Sequence, residues 1–127
     1  MTHSNATEIA IELIRQPSVT TTAMDNVLGL LENRLKDLGF VTKRYLFGEG
    51  KDQVDNLYAR FGTDAPNFCF AGHVDVVPEG ESNSWSQDPY GGIIEDGQLW
   101  GRGAADMKGA IAAFVAAIET YLETHTP

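Results

Sequence analysis

The stretch Asn67-Phe68-Cys69-Phe70-Ala71-Gly72-His73-Val74-Asp75-Val76-Val77 decides the fold. Phe68, Cys69, Phe70 and Ala71 are apolar without alternation, which predicts a strand covered on both faces inside an α/β sheet. His73 and Asp75 close that run two residues apart, on one side of an extended chain. C-terminal strand ends are where α/β sheets bind ligands. There an imidazole can coordinate a metal while a carboxylate orients its ring. A histidine hydrogen-bonded at a strand end with no further role fits the same residues. Cys69, among apolar neighbours, reads as a small core residue and not as a nucleophile.

Before this run, Ile9, Ala10, Leu13 and Ile14 repeat at helical spacing over about 7–15, and Gln16-Pro17-Ser18 reads as the stop. Met24, Val27, Leu28, Leu31, Leu35 and Leu38 predict a second helix, with Gly39 placed for a left-handed C-terminal cap. Residues 40–47 and 54–61 are rich in β-branched and aromatic side chains and are separated by Gly48-Glu49-Gly50-Lys51-Asp52, which predicts two strands around a turn. After the run, 78–88 reads as a loop anchored by Trp85. Asp96-Gly97 predicts a hairpin between 91–95 and 98–100. Ile111, Phe114, Val115, Ile118 and Leu122 form one face of a last helix, from near Met107 to about Thr124. This order argues for an α/β layer structure, although direct βαβ alternation is too sparse for a regular doubly wound sheet.

With 127 residues the chain accommodates one domain, not two. Nine Lys and Arg against eighteen Asp and Glu give a net charge of -9. Attraction to nucleic acid or anionic membrane is therefore not expected, whereas metal ions and small-molecule substrates remain open. One cysteine can form neither an internal disulfide nor a cysteine zinc cluster, which fits a cytoplasmic setting. No basic leader with an apolar core and no apolar run of spanning length is present.

Asp106 follows Gly101-Arg102-Gly103-Ala104-Ala105 at the mouth of the last helix. It reads either as a cap accepting backbone N–H groups or as a metal ligand carried on a tight glycine-rich turn. The stretch matches neither the dinucleotide fingerprint nor the P-loop. Arg102 and Lys108 read as solvated surface charges, with substrate contact as the alternative. Trp85 and Trp100 read as packing, and His3 and His125, near the chain ends, need no role.

Three blocks together, FAGHVDVVPEG at 70–80, Trp85 with Asp88-Pro89-Tyr90, and DGQLWGRGAADMKGAIAAF at 96–114, resemble the N-terminal part of the M20 metallopeptidase family. The resemblance implies part of a three-layer zinc-peptidase-like catalytic domain, a mixed sheet flanked by helices. It implies His73 as a ligand of one zinc, Asp106 as the bridge between two, and Asp75 as the catalytic-site residue that holds the His73 ring. The Asp106–Met107 bond is then expected to be cis. The activity implied is metal-dependent hydrolysis of the amide of N-succinyl-LL-2,6-diaminopimelate to succinate and LL-2,6-diaminopimelate, in lysine biosynthesis. Acetylornithine deacetylation or peptide hydrolysis is the alternative within the family, and a non-catalytic module is the alternative outside it. Zinc, or cobalt in its place, is the implied metal, and the parent is expected to be a homodimer. Family members draw a Glu-Glu pair and later ligands from beyond Asp106, where this chain offers only Glu119, Glu123 and His125. Residues 1–127 are thus expected to be a truncated N-terminal portion of the catalytic domain. The rest of that domain and a smaller dimerisation domain are expected to lie outside it, leaving the site incomplete and the chain inactive alone.

Overall fold

The computed structural model describes residues 4–19 and 24–127; His3 lies outside them. Helix α1 (Asn5–Ile14) begins where the Thr7 amide donates to Ser4 Oγ at 3.3 Å, satisfying one donor of the unpaired first turn. It buries Ile9, Ala10, Leu13 and Ile14 and ends ahead of Pro17, which disfavours helical geometry at the preceding residue. Helix α2 (Asp25–Asp37) carries Asp25 in its first turn and Arg34 and Lys36 in its last, matching the helix dipole. Its end is a Schellman motif in which the Gly39 amide donates to Lys36 O at 2.9 Å and the Phe40 amide to Leu35 O at 3.0 Å. Gly39 sits at φ +97°, a left-handed conformation that costs a residue with a Cβ about 1–2 kcal/mol.

Strands β1 (Val41–Phe47) and β2 (Val54–Arg60) pair antiparallel from Val41 opposite Arg60 to Phe47 opposite Val54. Strands β3 (Ile93–Glu95) and β4 (Gln98–Trp100) form a second antiparallel hairpin, turned by Asp96 at φ +51° and Gly97 at φ +74°. Positive φ at both positions is what the Asp-Gly pair supplies. Helix α3 (Gly109–Leu122) packs on α1. The core lies among the helices: Ile9, Ala10 and Leu13 of α1, Val27, Leu28 and Leu31 of α2, and Ile111, Ala112 and Val115 of α3. The mixed α/β architecture, strands flanked by helices, is as expected.

The expectation for 67–77 needs correction. The segment is extended but has no strand beside it among the described residues; its one bridge is Val76 parallel to Val19. Without a paired strand there is no ladder and cover is only partial: Val76 is buried and Phe70 and Val74 pack against the core, while the start of the segment lies open. Phe68 is therefore 84% exposed, and Cys69 is exposed and not a core residue. Phe70 stacks on Phe114 with ring centroids 4.4 Å apart, which fixes this segment against α3.

Candidate metal centre

The His73 amide donates to Met107 Sδ at 3.4 Å, and the His73 ring falls between two aspartates. Nδ1 lies 3.1 Å from the Asp75 carbonyl oxygen and 3.3 Å from Asp75 Oδ1. Nε2 lies 3.0 Å from Asp106 Oδ1. Two acceptors around Nδ1 assign it a proton, since an unprotonated ring nitrogen offers them nothing. In a neutral ring the Nε2 lone pair would then face a carboxylate oxygen, so the pair closes only around a cation, either a second ring proton or a metal ion. The ring's pKa is accordingly raised. The Asp75 carbonyl contributes most, the carboxylates of Asp75 and Asp106 add to it, and desolvation opposes.

Imidazole nitrogen and carboxylate oxygen are ordinary zinc donors, each bonding at about 2.0–2.2 Å. A separation of 3.0 Å lies within the span of two such bonds. These residues therefore fit as two ligands of a metal, with Asp75 behind the ring as metal-bound histidines require. Among the described residues no group of three or more His, Cys, Asp and Glu is placed to hold a metal ion, so the fit is to an open, partial site. A cavity of about 210 Å³ opens over His73, Asp75, Asp106 and Arg102.

The turn that carries Asp106 is shaped by close approach. Gly103 has φ +84°, and a Cβ there would stand 2.6 Å from Val76 Cγ1. Asp106 is non-helical at φ -131°, ψ 92°, and its side chain is 87% exposed. It caps nothing: the N-cap position of α3 is Lys108, without a side-chain cap bond. The Asp106–Met107 peptide bond is cis.

Lys108 and Arg102 are not the free surface charges expected. Lys108 is fully buried, its Nζ donates to Gln16 O at 2.7 Å, and desolvation lowers its pKa to about 8. The signal available in the sequence was a cation in the first turn of a helix, where the dipole disfavours it unless a specific partner compensates. The Arg102 guanidinium lies over Trp85, 5.2 Å from the ring centroid, and the Arg102 amide donates to Pro89 O at 2.6 Å. Trp85 Nε1 donates to Glu79 O at 3.0 Å, and Tyr90 OH to Glu79 Oε2 at 2.9 Å. Trp85 thus anchors its loop as expected and joins it to the turn that carries Asp106. Glu119 pairs with Arg34 at 2.7 Å, and the His125 ring stacks on Tyr121, near the end of α3 remote from Asp106.

Residues 69–127 match peptidase family M20/M25/M40. A succinyl-diaminopimelate desuccinylase of Beijerinckia indica subsp. indica is 57% identical over 121 residues, covering 94% of this chain and 31% of the relative. The protein of the same name from Parvibaculum lavamentivorans is 58% identical over 113 residues, covering 88% and 28%. The chain thus spans about three tenths of the length of these curated relatives. Among solved structures, human carnosine dipeptidase 1 superposes with a TM-score of 0.75 at 26% identity, over 92% of this chain and 27% of that one. An M20 family metallo-carboxypeptidase from Sulfolobus solfataricus shares the fold, with a TM-score of 0.79 at 24% identity over 95% and 28%. By sequence and by fold, residues 69–127 are similar to peptidase family M20/M25/M40, and the chain over most of its length is similar to the matching part of succinyl-diaminopimelate desuccinylases.

Proposed function

We propose that this chain carries part of a metal-dependent amide-hydrolase site for N-succinyl-LL-2,6-diaminopimelate. The products are succinate and LL-2,6-diaminopimelate, a step in lysine biosynthesis. One observation carries the reading: His73 Nε2 and Asp106 Oδ1 converge at 3.0 Å in a chain that is 57% identical, over 94% of its length, to a desuccinylase. In this reading residues 1–127 form the N-terminal portion of the catalytic domain. The remaining ligands, the general base and a smaller dimerisation domain come from sequence outside it.

His73 and Asp106 would hold the metal, through Nε2 and a carboxylate oxygen, as part of a site for two zinc ions. The chemistry supplied by zinc, or by cobalt in its place, is Lewis acidity: polarisation of an amide carbonyl and acidification of water. Asp75 keeps the ring proton on Nδ1 and leaves Nε2 for the metal. The cavity beside the pair, open to solvent, admits a small-molecule substrate. In this reading the protein works in the cytoplasm on a small-molecule substrate, with neither nucleic acid nor membrane as a partner. No helix among the described residues is long and apolar enough to cross a membrane.

The test is turnover of succinyl-diaminopimelate, acetylornithine and short peptides with added zinc. It compares the 127-residue chain with a chain extended along its natural reading frame to the length of the relatives. The expected outcome is turnover of the succinyl substrate by the extended chain alone. Preference for acetylornithine or peptides would move the assignment elsewhere in the family. Loss of zinc dependence would remove it.

A further inference from the structure

The segment bearing His73 and the turn bearing Asp106 share no ladder among the described residues. Their direct contacts include the pair of His73 Nε2 with Asp106 Oδ1, the long bond from the His73 amide to Met107 Sδ and the packing of Gly103 on Val76. A third piece of chain, residues 16–18, touches both. Gln16 O accepts Lys108 Nζ at 2.7 Å and the Ser18 amide at 2.7 Å. Ser18 Oγ donates to Val74 O at 2.6 Å, and Ser18 O accepts the Val76 amide at 2.8 Å. Asp75 is thereby held on both sides, and Lys108 stands two residues after Asp106. Ser18 is 2% exposed and Lys108 0%.

Packing alone does not explain these polar groups. A methionine fills nearly the volume of a lysine without the cost of taking an ammonium out of water. An alanine fills most of the Ser18 site. What the polar groups add is direction, because a short hydrogen bond to a carbonyl constrains position far more tightly than apolar contact does. We propose that Lys108 and Ser18 are positioning residues, which, acting through residues 16–18, set the separation of His73 and Asp106. The proposal rests on the metal-site reading above.

The test uses the 127-residue chain and its Lys108→Met, Ser18→Ala and Ser18→Thr variants. Cobalt is titrated by visible absorption under conditions where urea unfolding shows each variant fully folded. Loss of a group that supports a metal ligand costs about 10- to 100-fold in affinity. Lys108→Met and Ser18→Ala are each expected to lose that much and to shift the cobalt bands, whereas Ser18→Thr, which keeps the hydroxyl, stays near the parent. Without metal, Lys108→Met is expected to speed hydrogen exchange at the Val76 amide, which is bonded to Ser18 O. Parental cobalt affinity and spectrum in folded Lys108→Met and Ser18→Ala overturn the proposal, as does unchanged Val76 exchange in Lys108→Met. If Lys108→Met does not fold, Ser18→Ala against Ser18→Thr decides. If the parent chain, which holds only part of the ligand set, binds no cobalt, the same variants are titrated in the extended chain: an extended parent that also binds none removes the metal reading, and the exchange experiment then decides whether the brace exists.

Discussion

Asp106 and Gly103 sit three residues apart and answer to opposite demands. Asp106 is largely exposed and makes its side-chain contact with His73, so its carboxylate is not needed for packing. Asp106→Asn is expected to change folding stability by no more than about 0.5 kcal/mol, the range of surface substitutions. Calorimetry should show zinc affinity falling at least about tenfold, because a neutral amide is a poorer ligand than a carboxylate. A matching loss of stability would show that the carboxylate serves the fold instead. Gly103 is the reverse case, left-handed and pressed on Val76. Gly103→Ala is expected to cost about 1–3 kcal/mol in urea unfolding from backbone strain. His73, Asp75 and Asp106 stood out in the sequence as candidates, each with a plain structural reading beside it, and their ligand roles came from the family resemblance; the structure brings the three residues together. The burial of Lys108 was not legible, since it depends on where α1 ends.

Between elements, Glu32 clasps α2 to β1. Thr42 Oγ1 donates to its Oε1 at 2.7 Å, Lys36 Nζ lies 3.1 Å from the same oxygen, and Arg44 Nε donates to Oε2 at 2.9 Å. The hydrogen bond from Thr42, followed by those from Lys36 and Arg44, holds the carboxyl down to about 2 from an ordinary 4.5. A carboxyl with a lowered native pKa stabilises the fold fully above its unfolded value, and this is lost as pH falls through the native one. Unfolding free energies taken between about pH 5 and pH 2 should therefore decline more steeply in the parent than in Glu32→Gln. Equal slopes would show that the clasp contributes nothing. The paired elements were legible, since helix periodicity, Gly39 and Asp96-Gly97 act locally. The segment 67–77 was not: strand-forming residues become a strand only beside another strand.

For the whole molecule, the unpaired segment and strands β1 and β2 leave several large apolar side chains exposed. Val41 is 76% exposed, Phe47 62%, Leu46 59% and Phe68 84%. An apolar groove of about 260 Å³ runs between α2, β2 and α3. Such exposed apolar groups and unpaired edges promote association, while a net charge of -9 opposes it. The charge term is screened at about 0.1 M salt, where the Debye length is about 10 Å. Light scattering behind size exclusion should show the 127-residue chain associating more as salt rises, and Phe68→Lys should reduce this. A monomer at every salt and concentration would contradict it.

Helix faces, caps and hairpin turns followed from residue order, because each depends on neighbours within a few positions. The tertiary structure decided three things: the 3.0 Å approach of His73 to Asp106, the burial of Lys108 against Gln16, and the exposure of Phe68 and Cys69. Each depends on which distant segment lies alongside, and apolar composition tells a residue to seek cover without naming what covers it.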